Sequence, residues 1–352
     1  MTSPTGNDSP VSDQYRGGAL SAMTVDSSSS GATGEVLVDV EDMNVSFRTA
    51  DGMVHVVRDV NYKIRRGQTL VIVGESGSGK SVSARAILGL LPSTATVGGS
   101  ARFEGANLLT LSSKEWRQYR ATGFGIVFQD PTRSLNPTMR IGHQISEAVH
   151  FHMGMTKKQA AERAVELLEI VGIPFPRERA HEYPYQLSGG MRQRVMMAIA
   201  ISCNPQVLIA DEPTTALDVT IQAQIMELLR ELQREMHMGL VLITHDMGLA
   251  FSYGDEIAVM YGGRIVERAP SALIREHVRM PYTRGLLESV PRLSDVPHSK
   301  FRALAGRPAD PSSIGAGCAF APRCEFVQDR CREELPSTDG DEQHVWQCWY
   351  PL

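Results

Sequence analysis

The segment Gly74-Glu75-Ser76-Gly77-Ser78-Gly79-Lys80-Ser81 stands between an apolar run that begins at Thr69 and a helical pattern that begins near Lys80. A G-x-x-x-x-G-K-S loop in that position is the strand-loop-helix device that holds polyphosphates, and it commits the chain to an α/β fold. Its glycines let consecutive backbone N–H groups turn inward on the β and γ phosphates of a nucleotide. Lys80 adds a point charge, and the Ser81 hydroxyl is the expected Mg²⁺ ligand. Residues Gly74 to Ser81, with Val82 in the first helical turn, form the candidate nucleotide-binding set.

A second apolar run, Val207 to Ala210, ends in Asp211-Glu212. Parallel topology brings strand ends beside the phosphate loop, so Asp211 is expected to hold the metal's water shell and Glu212 to polarise an attacking water. Alone, a strand ending in Asp-Glu is an ordinary solvated turn; the phosphate loop earlier in the chain is what makes the pair a candidate catalytic one. Leu240 to Thr244 is a further run of this kind, and the amphipathic stretch Ile221 to Met236 lies between the two. That order reads as parallel strands joined by a crossover helix.

The rest of the chain frames these elements. Residues 1 to 34 include Ser27 to Ser30 and few large apolar side chains, a composition read as a disordered leader without the basic start and apolar core of a secretory signal. From Glu35 the alternation of Val36, Val38 and Val40, then Val45 and Phe47, a turn at Gly52, and Val54, Val56 and Val57 reads as antiparallel strands. Residues 131 to about 195 carry helical periodicity at Ala160, Ala164, Leu167, Leu168 and Val171, which predicts a helical insertion. Ile257 to Tyr261 and Arg264 to Glu267 flank Gly262-Gly263 as a closing hairpin, and after Leu287 the composition shifts to a Pro-, Ser-, Arg- and Cys-containing C-terminal extension, residues 288–352. A net charge of −5 with 21% charged residues gives no global basic field for nucleic acid. No run approaches the roughly 18 to 20 apolar residues of a membrane helix, so a cytosolic chain is expected.

Leu187-Ser188-Gly189-Gly190-Met191 resembles the LSGGQ signature of the ABC ATPase family, and the resemblance extends from about Glu35 to Leu287. It implies a P-loop NTPase (RecA-like) core with an antiparallel β subdomain and a helical signature subdomain. It also implies that Ser188, Gly189 and Gly190, at a helix N-terminus, face the ATP of a second ATPase subunit, so that hydrolysis needs a dimer. Met191 replaces the usual Gln and leaves those donors intact. The same resemblance implies Phe47 as the adenine-stacking residue, Gln129 as the glutamine reaching Mg²⁺ and water, Asp218 in the loop that crosses the dimer interface, and His245 as the γ-phosphate switch, with ATP and Mg²⁺ as ligands.

Three segments are similar to oligopeptide, dipeptide and nickel importer subunits: Gln129-Asp130-Pro131 with Ser134-Leu135-Asn136-Pro137, Asp211 to Thr220, and Pro281-Tyr282-Thr283-Arg284-Gly285-Leu286-Leu287. Gly317-Cys318-Ala319-Phe320-Ala321-Pro322-Arg323-Cys324 resembles the peptide-type members. The implied role is the ATP-hydrolysing subunit of a peptide importer at the cytoplasmic face of the membrane. Its implied partners are a second, paralogous ATPase, two permease subunits and an extracytoplasmic peptide-binding protein. A nickel or other small-solute importer is the alternative; a soluble ABC ATPase of nucleic-acid or ribosome function would carry coiled-coil insertions or two cassettes, and neither is present. Four of the five cysteines, Cys318, Cys324, Cys331 and Cys348, fall in the extension with five, six and sixteen residues between them. In a reducing compartment these point to a metal site rather than disulfides. Four thiolates suit a 4Fe–4S cluster or Zn²⁺, the cluster being what the resemblance implies, and an absence of metal stays open.

Overall fold

The computed structural model describes residues 34–290 and 304–352 apart from Asp51, Ala121 and Ala216. The expected leader therefore lies, Gly34 aside, outside the described residues. Among the described residues twelve strands follow in chain order: β1 (Val36–Thr49), β2 (Gly52–Arg65), β3 (Thr69–Val73), β4 (Ala95–Phe103), β5 (Ala106–Asn107), β6 (Phe124–Val127), β7 (Val207–Asp211), β8 (Gly239–Thr244), β9 (Glu256–Tyr261), β10 (Arg264–Pro270), β11 (Asp339–Gly340) and β12 (Val345–Trp346). They make a four-stranded antiparallel sheet, β2-β1-β4-β5, and an eight-stranded sheet, β11-β12-β10-β9-β3-β8-β7-β6. The centre of the larger sheet, β9-β3-β8-β7-β6, is parallel. Its margin, β9-β10-β12-β11, is antiparallel.

Every residue of β3, β7 and β8 is buried, which is why these strands read as unbroken apolar runs and not as alternations. Their pleat still sorts the side chains. Val71, Val73, Leu208, Ala210, Leu240 and Leu242 join the core shared with the helices, whereas Leu70, Ile72, Val207, Ile209, Val241 and Ile243 join the core shared with the antiparallel sheet. The central sheet is thus a filled layer between two others. Burial of each Val, Leu or Ile among them contributes about 1.5–3 kcal/mol.

The helical insertion is present as Ile141–Met153, Lys157–Ile170 and Gly189–Ile201, with shorter turns between them. Local chemistry sets its breaks. The first of these helices stops at left-handed Gly154, and the next is opened by Thr156, whose hydroxyl accepts from the Gln159 amide while the Gln159 side chain accepts from the Thr156 amide. Among the described residues no helix is long and apolar enough to cross a membrane.

The C-terminal extension is stitched onto the larger sheet through β12, which pairs with β10 at Glu267 opposite Trp346. Glu267 is fully buried. Its carboxylate accepts from the Arg279 amide at 2.6 Å and the Met280 amide at 3.1 Å, and His344 Nε2 lies 2.8 Å away. A buried carboxylate is tolerated because these partners replace its water. Beyond it, Leu352 exchanges hydrogen bonds with Arg279, its amide donating to the Arg279 carbonyl and its carbonyl accepting from Nη1. Glu267→Ala strands these donors in the core and is expected to lower stability to urea by about 3 kcal/mol; an unchanged unfolding midpoint would show that the extension is held elsewhere.

Candidate active site

The phosphate loop is the turn by which β3 leaves the sheet. Gly79, at φ +103°, ends it in a conformation that L side chains rarely adopt, and the helix Lys80–Ile87 starts on the next residue. Gly74 is needed for closeness: a Cβ there would lie 2.1 Å from the Met260 carbonyl oxygen of β9. The loop is therefore wedged against the neighbouring strand with no room for a side chain at its base.

Lys80 is 4% exposed and its ammonium donates to the carbonyls of Gly74 at 2.7 Å and Glu75 at 2.9 Å. Burial lowers its pKa from the ordinary lysine value, and the carboxylates of Glu212, Asp211 and Glu75 act in the opposite sense. Ser81 Oγ donates to Asp211 Oδ1 at 2.6 Å, which ties the loop to the end of β7. Arg85 Nη2 stands 3.6 Å from the other Asp211 oxygen. Ser78 Oγ is buried and has no partner among the described residues, an open polar atom inside the loop.

One residue beyond Asp211 the chain turns sharply. Glu212 adopts φ +47°, a strained conformation for a residue with a side chain. Its amide still donates to Ile243 in β8. Three groups converge on a single carboxylate oxygen, Glu212 Oε2: Gln129 Nε2 donates at 3.0 Å, Thr215 Oγ1 donates at 3.0 Å, and His245 Nδ1 lies at 3.4 Å. Gln129 follows β6 and His245 follows β8, so the sheet order β8-β7-β6 is what gathers them. These residues edge a cleft of about 760 Å³ whose lining includes Glu75, Ser76, Gly77, Gly79, Lys80, Ser81 and Val82. Its shape and chemistry suit a polyphosphate and a divalent cation beside a carboxylate that can hold a water.

Other expected residues lie elsewhere. Phe47 is not in the cleft lining; it is half-buried against the core of the antiparallel sheet, and Val56 of the paired strand faces the cleft instead. Ser188 caps the helix Gly189–Ile201, its Oγ accepting from the Met191 amide, and Asp218 caps the helix Val219–Glu235 in the same manner. Leu187 to Met191 and Asp218 do not line this chain's own cleft. Gly190 packs against the second of those helices, since a Cβ on it would stand 2.8 Å from Ile221. Sequence reasoning missed Thr215 as a partner of Glu212, and it missed Leu286, Ser289 and Leu304, which wall the cleft from the C-terminal side. Of these Thr215 and Leu286 sit in recognisable segments, Asp211 to Thr220 and Pro281 to Leu287.

Cys318, Cys324, Cys331 and Cys348 line one small apolar cavity with Phe320, Phe326 and Trp349. Burial, with the neighbouring thiols, raises Cys318, Cys324 and Cys348, the last to about 11, while backbone hydrogen bonds to each act in the opposite sense. A bound cation would reverse that by stabilising thiolate. The donor chemistry therefore fits a metal centre. The geometry goes less far: among the described residues no group of three or more His, Cys, Asp or Glu side chains is set to hold a metal ion. Cys203 is buried apart from them, beside Ser202 and the Ala148 carbonyl.

The fold and this cleft define a phosphate-loop nucleotide-binding cassette. Residues 57–215 match the ABC transporter family model, and residues 266–331 match that of the oligopeptide/dipeptide transporter C-terminal region. The oligopeptide transport ATP-binding protein OppD of Salmonella typhimurium is 44% identical over 317 residues, 90% of this chain and 94% of that protein. The dipeptide transport ATP-binding protein DppD of Bacillus subtilis is 45% identical over 318 residues, 90% of this chain and 95% of that one. Among solved structures, a dimeric post-hydrolysis state of an ATP-binding cassette with ADP and phosphate superposes with a TM-score of 0.60 at 28% identity, covering 66% of this chain and 98% of that chain. The chain belongs to the ABC transporter ATP-binding family, among the oligopeptide and dipeptide transport ATP-binding proteins.

Proposed function

We propose that this chain hydrolyses ATP to ADP and phosphate to drive peptide import, with Glu212 as the carboxylate that activates water. The observation that carries this reading is the convergence of Gln129, Thr215 and His245 on Glu212 Oε2 at the edge of a cleft floored by the phosphate loop. Lys80 and the loop amides bind the phosphates; Ser81 and Asp211, with Gln129, are the residues that would hold Mg²⁺. Gln129 and His245 orient Glu212 and respond to the γ phosphate. The catalysis is mainly positioning and charge neutralisation, as phosphoryl transfer needs.

Ser188, Gly189 and Gly190 serve the nucleotide of a second ATPase subunit, a paralogue, and Asp218 lies at that dimer interface. Support comes from the helix N-terminus that Ser188 caps and from its place outside the chain's own cleft. Two permease subunits and an extracytoplasmic peptide-binding protein complete the assembly at the cytoplasmic face of the membrane. Phe47 stacks on adenine once nucleotide is bound. The four thiols of the extension hold a structural metal centre, a 4Fe–4S cluster with Zn²⁺ as the alternative ion, which would cross-link a segment whose own strands are only two residues each.

Glu212→Gln keeps the shape and removes the charge, so Mg-ATP binding is expected to persist while turnover falls about 10²- to 10³-fold; hydrolysis near the wild-type rate would remove Glu212 from this role. For the extension, anaerobically purified protein is expected to be brown with iron and sulfide bound, and Cys324→Ser to lose both. One zinc per chain would replace the cluster by the alternative ion, and protein without metal would overturn the site.

A further inference from the structure

Arg323 lies 248 residues from Glu75, yet its guanidinium grips that carboxylate with both nitrogens, Nη1 to Oε2 at 2.6 Å and Nη2 to Oε1 at 3.0 Å. The Arg323 side chain is only 4% exposed. Its remaining donors are also placed: Nε donates to the Ala305 carbonyl at 2.7 Å, and Nη1 to the Tyr261 hydroxyl at 3.2 Å. Glu75 is held on its other sides as well. Its amide donates to the Tyr282 hydroxyl at 2.9 Å, and its carbonyl accepts from Lys80. One residue of the phosphate loop is thus fixed at amide, carbonyl and carboxylate, twice by groups from beyond β10.

We propose that Arg323 is a positioning residue for nucleotide binding, through which the docked C-terminal extension sets the geometry and charge of the phosphate loop. Two effects act together. The bidentate bond holds Glu75, and with it the two carbonyls that hold the Lys80 ammonium, in one arrangement. It also neutralises a carboxylate that lines the cleft and would otherwise repel the phosphates. By bonding the Ala305 carbonyl, Arg323 further fixes the segment in which Leu304 walls the cleft. Docking of the extension and grip on the nucleotide are then parts of one interaction. The inference rests on the phosphate-loop reading given above.

The test is the Kd for Mg-ATP, by calorimetry on the full-length chain, for wild type, Arg323→Ala and the double variant Glu75→Gln with Arg323→Ala, with far-UV circular dichroism confirming folding. Arg323→Ala is expected to raise Kd about tenfold, because a carboxylate next to the phosphates loses its counter-charge. Glu75→Gln in that background is expected to recover Kd to within about threefold of wild type, since the repelling charge is gone; an arginine that only folded the extension would not be rescued in this way. Arg323→Gln, which keeps most of the stem, carries the same expectation if the alanine variant fails to fold. A Kd within twofold of wild type for the single variant, or a double variant as weak as the single, overturns the proposal. A wild-type chain that binds no Mg-ATP would instead overturn the phosphate-loop reading itself.

Discussion

The buried ammonium of Lys80 is the constraint on which the rest of the site depends. A cation that is 4% exposed survives only where carbonyls and carboxylates replace water, and here the carbonyls of Gly74 and Glu75 touch it while Glu212, Asp211 and Glu75 supply opposing charge. Each of those groups is itself fixed by a different part of the fold. Gly74 is pressed on Met260 of β9, Asp211 ends β7 and bonds Ser81, and Glu75 is held from the C-terminal extension.

The central sheet makes this arrangement reproducible. Because β3, β7 and β8 are packed on both faces, their C-terminal ends cannot drift, and the side chains that follow them arrive at one edge of one cleft. The strained backbone of Glu212 is tolerated in that setting. Its amide bond to β8 anchors the turn while Gln129, Thr215 and His245 hold the carboxylate from three directions. A strained residue held this way is pre-organised, which suits the water-activating role proposed for it. Members of the oligopeptide and dipeptide transport group share the cassette, and the energy released here is coupled to peptide import.

Much of this was legible in the amino acids, for identifiable reasons. Long apolar runs with no alternation announced β3, β7 and β8 as doubly covered strands, the Gly262-Gly263 pair announced the β9-β10 hairpin, and the glycine spacing announced the phosphate loop. Glu212 stood out because it follows such a run beside a phosphate loop, and Gln129 and His245 because the family resemblance singles them out; the structure brings all three together at one carboxylate oxygen. The rest left no local signal. β11 and β12 are two residues each, too short for any periodicity, and the Arg323–Glu75 grip joins positions that nothing in the chain pairs in advance. Phe47, which the family resemblance implies as the adenine contact, is half-buried against the core of the antiparallel sheet, and Val56 of the paired strand lines the cleft. The four cysteines, read from their spacing as a metal site, share one cavity, but among the described residues they do not form a ligand set.

Titrating Mg-ATP into the full-length Lys80→Ala chain tests the central claim most directly, because it removes the one cation around which loop, strand ends and extension are arranged. The account predicts a correctly folded protein, by circular dichroism and melting, whose affinity for Mg-ATP has fallen by about two orders of magnitude or more. Wild-type affinity in that folded variant would contradict it.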